Sequence, residues 1–167
     1  SHTWAGAIVH EITVNGRVCG ETALNAAICG AYGVPVGLVA GADDLIAEAR
    51  ADLGAVELVE TKKTLGFNLA ECWSPQATWP RLEAAAKRAV ERRRAGEMVP
   101  KRFPGRVVAE LESHRREMTE RMLLAAPGLV RIGERRVRCE ADDVRAALSG
   151  LWRGITEAFH EPSAWLR

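Results

Sequence analysis

The spacing of apolar side chains predicts a strand and then a helix at the start of the chain. Residues 7–14 (AIVHEITV) are rich in β-branched side chains and end at Asn15-Gly16, a dipeptide that favours tight turns with positive φ. From Glu21 onward the apolar side chains recur at helical spacing, and Gly33 is a residue type that commonly ends a helix. The first predicted elements are therefore a strand that leads into a turn and a helix of about three turns.

The same alternation of short apolar runs and helical spacing continues through the middle of the chain. The elements that it predicts are strands at 34–40 and 55–59 and helices at 43–53 and 79–95. Ser74-Pro75 is a typical approach to a helix N-terminus, whereas residues 62–73 show no clear period. Strands and helices thus alternate along this half.

Residues 96–105 carry two glycines and two prolines, so they are the best candidate for a boundary between two lobes. The elements predicted after this boundary are a strand at 106–112, a helix at 114–125, a hairpin of 129–132 and 137–140 around Gly133-Glu134, and a last helix at 141–159. The second half therefore mixes strands, a hairpin and helices.

This order of elements indicates an α/β fold with a layered sheet, parallel strands and helices on the faces of the sheet. A smaller C-terminal α+β lobe is expected to follow it. The predicted boundaries are 1–98 for the larger α/β domain and 99–167 for the smaller lobe.

Composition and charge exclude several classes of protein. The 167 residues are 47% hydrophobic, which is enough for a core and argues against disorder. Lys and Arg number 23 against 22 Asp and Glu, a net charge of +1, so nucleic acid is not an expected partner. The longest apolar stretch, 33–42, is far shorter than the ~20 residues of a membrane span. We expect a soluble cytoplasmic protein with no membrane partner, whose four dispersed cysteines are reduced thiols.

His2 and Glu21 are candidates for a chemical role. Glu21 is the first residue of the first predicted helix, where a carboxylate interacts favourably with the helix dipole. This interaction explains the residue without any function, yet Glu21 could also be an oxygen ligand at the end of the strands. His2 stands next to the first residue, where an ordinary chain end explains it, so that taken alone it is the weakest candidate of the four histidines. His10, His114 and His160 have no second ligand at metal-binding spacing, so ordinary placement is favoured for them.

Other polar groups give weaker signals. Asp43 and Asp44 follow a predicted strand at the edge where α/β sheets bind ligands, but a helix cap is the favoured interpretation. Lys62 and Lys63 suit an anion, although an exposed pair is commoner. The sequence contains no dinucleotide fingerprint, phosphate-binding loop, nucleophile elbow or zinc-binding cysteine pair. Residue chemistry alone leaves the function open.

Several segments together resemble the M55 family of zinc D-aminopeptidases, the DppA-type dipeptide-operon peptidases. The specific ones are Ser1-His2-Thr3, residues 14–27 (VNGRVCGETALNAA) and residues 32–41 (YGVPVGLVAG). Looser similarity continues through 62–63, 74–75, 107–111, 126–128 and 137–148, so the resemblance spans nearly the whole chain.

The resemblance implies a hydrolase that removes N-terminal D-amino acids, such as D-Ala, from short peptides. It implies a site with two zinc ions per subunit, in which Glu21 is a metal ligand and His2 the catalytic histidine. The family's Asp-x-Glu and two further histidines are absent, so the chain is expected to be the C-terminal portion, inactive alone with an incomplete metal site. Residues 1–98 would then be part of the catalytic domain. Ring-like homo-oligomers are also implied, with the Ala-rich helices as candidate contacts.

Two alternatives to this hypothesis stay open. In a non-catalytic α/β binding or assembly module, Glu21 would only begin a helix and His2 would only end the chain. A hydrolase or transferase of another α/β type is the third possibility. The metal affinity of Glu21 separates the first alternative from the peptidase.

Overall fold

The computed structural model describes residues 3–161, which form eight strands and five helices. The strands are β1 Val9–Val14, β2 Arg17–Val18, β3 Leu38–Ala42, β4 Glu57–Gly66, β5 Leu69–Cys72, β6 Val107–Ser113, β7 Leu129–Arg131 and β8 Arg136–Ala141. The helices are α1 Glu21–Ala31, α2 Asp43–Leu53, α3 Pro75–Arg94, α4 Arg116–Ala125 and α5 Val144–Ala158. The predicted α/β class with layered sheets and helices is confirmed.

The chain divides into two compact units. The first unit consists of Ser1–Leu24 together with Phe103–Arg167, and the second of Asn25–Arg102. Each unit has its own sheet: five strands in the first and three in the second, among the described residues. The two units are therefore described separately.

The sheet of the first unit has the order β2-β1-β6-β8-β7, and every neighbouring pair in it is antiparallel. The prediction of parallel strands is wrong for this sheet. For β1 and β2 the reason is local, because Asn15-Gly16 between them have φ of 51° and 78°, and a two-residue turn of this kind joins only antiparallel strands. The predicted hairpin is confirmed as β7 and β8, closed by a hydrogen bond from Ile132 N to Arg136 O at 3.0 Å.

The core of the first unit lies between one face of this sheet and the helices α4 and α5. Along β6 the side chains alternate, so that Val107, Ala109 and Leu111 are buried while the residues between them are half-buried. The helices bury a matching apolar set: Met118, Met122, Leu148, Leu151 and Ile155. The opposite face carries glutamates and arginines that pair across β1, β6 and β8.

The second unit has a mixed sheet of order β3-β4-β5. β3 and β4 are parallel, with α2 between them in the chain, whereas β4 and β5 are antiparallel. Residues 62–73, which lack a period in the sequence, form the end of β4, the turn and β5. This hairpin is exposed on both faces, so neither face needs the alternation of apolar side chains that identifies a half-buried strand.

All four cysteines are free thiols, two of them buried and two exposed. Cys19 and Cys139 are buried, and Cys29 and Cys72 are exposed.

Within residues 3–161, none of the helices combines the length and the apolar character needed to cross a membrane.

Candidate functional site

Glu21 is the first residue of α1 and is half-buried in the first unit. Its position follows from the sequence, because the Asn15-Gly16 turn and the short strand β2 end just before the helix begins. The Oε1 atom of Glu21 accepts a hydrogen bond from the backbone N–H of Trp4 at 2.5 Å. The carboxylate is thus tied to the segment at the beginning of the described chain.

Trp4 makes this bond from a strained backbone. Ala5 N donates to Thr3 O at 2.7 Å, so Trp4 is the central residue of a three-residue γ-turn, and its φ is 58°. The positive-φ form of this turn is rare, and for a bulky side chain such backbone costs roughly 1–3 kcal/mol. Surrounding contacts must offset that cost.

The Trp4 ring is held from the side by α5. Its centroid lies 5.7 Å from that of Trp152, and the two ring planes are 89° apart, the edge-to-face arrangement that aromatic pairs favour. Ala5, the next residue, is buried. The first unit therefore fixes the γ-turn on both sides of its strained residue.

The predicted catalytic residue His2 lies outside the described residues, so its place relative to Glu21 stays a prediction. The other three histidines are exposed. His10 and His114 form an edge-on pair with ring centroids 5.6 Å apart, and His114 Nε2 lies 3.1 Å from Gly6 O.

Glu21 fits zinc in residue type, since zinc accepts carboxylate oxygen ligands. Glu21 is, however, only one metal ligand. Nowhere in the part of the chain that the structure describes do three His, Cys, Asp or Glu side chains come together in a group that could hold a metal ion. The described residues thus supply one candidate ligand and not a full set.

The aspartates after β3 have a structural partner. Asp43 Oδ1 accepts from Thr64 N at 2.8 Å, and Asp44 Oδ1 accepts from Thr64 Oγ1 at 2.9 Å. The backbone bond from Thr64 is the main reason that the pKa of Asp43 lies below its usual value. The favoured helix cap is not what they form, because Ala42 is the N-cap residue; instead they attach the start of α2 to β4.

Sequence reasoning missed a cleft of about 350 Å³ in the second unit. Its lining includes Asp52, Glu97, Met98 and Lys101. Lys101 Nζ donates to Asp52 O at 2.7 Å, so its ammonium group is engaged at the wall. No motif identifies this cleft, since its lining comes from four separate stretches of chain.

Lys62 and Lys63 are exposed, as favoured from the sequence.

The chain is similar to a known family of proteins. The model of the M55 peptidases, described as D-aminopeptidase, matches residues 1–152. The D-aminopeptidase of Bacillus subtilis (strain 168) is 37% identical over 67 residues, which is 40% of this chain and 24% of that protein.

A solved structure resembles nearly the whole chain. It is the Zn-dependent D-aminopeptidase DppA from Bacillus subtilis, a self-compartmentalizing protease, with a TM-score of 0.87 and 27% sequence identity. The similarity covers 97% of this chain and 58% of the DppA chain, so the chain spans little more than half the length of that relative. Because the family model matches most of its residues, the chain belongs to the M55 family of D-aminopeptidases.

Proposed function

We propose that this chain forms part of a zinc-dependent aminopeptidase that releases N-terminal D-amino acids, such as D-Ala, from short peptides. The observation that carries the proposal is the family match over residues 1–152, which includes the Gly-Glu segment of Glu21. The likeness to Zn-dependent DppA supports the metal. We place the enzyme in the cytoplasm, with short D-amino-acid-containing peptides as partners and neither nucleic acid nor membrane.

Glu21 would hold the metal through its carboxylate. Bound zinc, two ions per subunit in this proposal, lowers the pKa of a water molecule and polarises the peptide carbonyl. As general base, His2 would take a proton from the attacking water and then give it to the leaving amine. As nucleophile, it would instead form an acyl-imidazole that water then cleaves, and the leaving amine would take its proton from solvent. Glu21 and His2 are thereby assigned different tasks that separate variants can test.

We also propose that the chain supplies an incomplete metal site and is inactive alone. One carboxylate does not hold a two-metal centre, and the described residues offer no cluster of three ligands. The chain covers 58% of DppA, and we assign the missing ligands to the part of the enzyme that corresponds to the remainder.

A homo-oligomer is the assembly that we propose, with the hairpin of β4 and β5 as a contact between copies. We call residues 61–72 the arm. Phe67 in its turn and Leu65 and Leu69 in the strands beside it are all strongly exposed. β5 is the edge of its sheet in the described part of the chain. Exposed apolar edges of this kind pair with other chains. A second copy is the occupant that we choose because the similar DppA is self-compartmentalizing.

The alanines of the helices are a weaker choice for this contact. Ala49 on α2 and Ala85 and Ala89 on α3 are buried within the second unit itself. Their side chains already pack in its interior, whereas those of the arm do not.

Zinc affinity tests the Glu21 assignment. Calorimetry with Zn²⁺ is carried out on a chimera in which the chain is joined to the part of DppA that it does not match, because the described residues of the chain alone lack a full set of ligands. Glu21→Gln in this chimera is expected to bind zinc more weakly than the chimera without the substitution. Glu117→Gln is the matched control, because Glu117 is also an acidic residue in the first turn of a helix, α4. Equal zinc affinity for Glu21→Gln and Glu117→Gln would remove Glu21 from the site and favour the non-catalytic module.

Activity is tested in a chimera. The part of DppA that this chain does not match is joined ahead of Ser1, and D-alanine release from D-Ala-D-Ala is measured. We expect two bound zinc ions and turnover in the chimera, and none in the chain alone. His2→Ala in the chimera should keep its zinc but lose roughly 10²–10⁴-fold in kcat, the usual contribution of a general acid or base. Full turnover in His2→Ala would show that His2 is not catalytic.

A further inference from the structure

We propose that Trp4 and Trp152 are positioning residues that set the orientation of the Glu21 carboxylate. This inference rests on the proposed function, because it gives a purpose to the carboxylate that the function assigns as a ligand. The two tryptophans do not act on substrate. They act through the backbone N–H of Trp4, which donates to Glu21 Oε1.

The direction of that N–H depends on the γ-turn. With Ala5 N bonded to Thr3 O and a φ of 58° at Trp4, the peptide group that enters Trp4 is turned toward the start of α1. Relaxation of Trp4 to the common negative-φ region would rotate this peptide group away from Glu21. The strained conformation and the hydrogen bond therefore belong together.

The edge-to-face contact with Trp152 keeps Trp4 in this conformation. Trp152 lies on α5, whose neighbouring residues Leu151 and Ile155 are fully buried in the core of the first unit. A rigid helix thus supports a strained loop residue, and that residue fixes one oxygen of the carboxylate. Strain that a rigid support maintains beside a candidate ligand is typical of preorganised sites.

The sequence alone gives no sign of this relationship. Trp4 and Trp152 are separated by almost the full length of the described chain, and neither belongs to a recognisable motif. Trp79 on α3 is 67% exposed and belongs to the second unit, so it takes no part in this contact. Trp79 therefore provides a matched control for removal of an indole ring.

The first experiment follows the backbone amide of Trp4 by NMR in the metal-free chain. Trp152→Ala is expected to move the Trp4 amide proton upfield and to speed its hydrogen exchange at least about tenfold, because the hydrogen bond to Glu21 opens more often. Glu21→Gln should move the same resonance. Trp152→Phe, which keeps an aromatic ring, should restore the native shift, and Trp79→Ala should leave it unchanged.

The second experiment measures zinc affinity in the chimera. Residues that orient a metal ligand typically contribute 10- to 100-fold in affinity, so Trp152→Ala should weaken zinc binding roughly tenfold while Trp152→Phe and Trp79→Ala do not. Trp4→Gly provides a second route, because glycine tolerates the backbone angle but removes the ring. If Trp152→Ala fails to fold, Trp4→Gly decides the outcome by the protection of the position-4 amide from hydrogen exchange and by the zinc affinity of the chimera.

The results separate this inference from the proposed function. Native protection from hydrogen exchange at the amide of position 4 in both Trp152→Ala and Trp4→Gly would overturn the positioning role, whatever Glu21 binds. Unchanged zinc affinity in Glu21→Gln, together with a displaced Trp4 amide, would instead overturn the ligand assignment and leave the mechanical link between the tryptophans and Glu21 intact.

Discussion

Arg136 on β8 lies directly opposite Glu112 on β6, and its Nη2 donates to Glu112 Oε2 at 2.6 Å. Arg135 donates to the other oxygen of Glu112 at 2.7 Å, and Arg136 also reaches Glu11 on β1 at 3.1 Å. The hydrogen bond from Arg136 is the main reason that the pKa of Glu112 lies below its usual value. The charged face of the first unit thus links three adjacent strands through these pairs.

The stability of this face is expected to depend on pH. A carboxyl group with a lowered pKa in the folded state stabilises the fold above its unfolded pKa of about 4.3, and this contribution disappears as the pH falls through the folded value. Glu112→Gln should therefore lower the free energy of unfolding by about 1 kcal/mol at pH 7 and by progressively less below pH ~4. Urea denaturation across this pH range measures the difference.

Glu134, an exposed carboxylate at the turn between β7 and β8, provides the control for this series. Glu134→Gln should follow the unmodified chain at every pH. A constant difference between Glu112→Gln and the unmodified chain from pH 7 to pH 3 would contradict the assigned role of the Arg136 pair.

Gly150 on α5 allows the helix to approach the sheet closely. A Cβ at this position would overlap the buried Sγ of Cys139 on β8. Overpacking of this kind typically costs about 1–3 kcal/mol, whereas alanine gains about 1 kcal/mol over glycine in a helix. Gly150→Ala should therefore be destabilising by about 1 kcal/mol net in urea denaturation.

Removal of the sulfur should reverse the sign of that effect. In a Cys139→Ala background no Sγ is present, so Gly150→Ala is expected to stabilise the chain through helix propensity alone. A Gly150→Ala substitution that is equally destabilising in both backgrounds would show that the overlap with Cys139 is not its cause.

The arm should govern association between copies. Phe67 is 87% exposed at its turn, and Phe67→Ser should shift sedimentation velocity profiles toward the monomer because the apolar contact is lost. Leu124→Ser is the matched control, since Leu124 on α4 is 82% exposed but belongs to the first unit. Dissociation by Leu124→Ser and not by Phe67→Ser would place the contact between copies elsewhere.

Local patterns predicted the helices well because each has its own signals for a beginning and an end. The helix predicted from Asp43 to about Leu53 coincides with α2, and the helix that begins at Glu21 coincides with α1. Helix α3 begins at Pro75, four residues before the predicted start, because Ser74 caps it by accepting from Ala77 N. Its first turn lacks the apolar periodicity on which the prediction relied.

Strand direction and the surroundings of Glu21 could not be predicted in the same way. Pairing between β1 and β6 joins residues about a hundred positions apart, so the antiparallel order of the sheet is a property of the whole chain. The contact between Trp4 and Trp152 is longer still. Sequence similarity identified Glu21 as a candidate, but the γ-turn that orients it depends on packing against α5.

The distribution of the four thiols gives the chain a built-in reporter of its folded state. Cys29 and Cys72 are accessible to an alkylating reagent, while Cys19 and Cys139 are shielded, and burial also raises the pKa of the Cys139 thiol and so reduces its reactive thiolate. Mass spectrometry after brief iodoacetamide treatment should count two adducts on native molecules and four on denatured ones. Every variant that keeps all four cysteines can thereby be checked for integrity from a few micrograms before its other properties are compared.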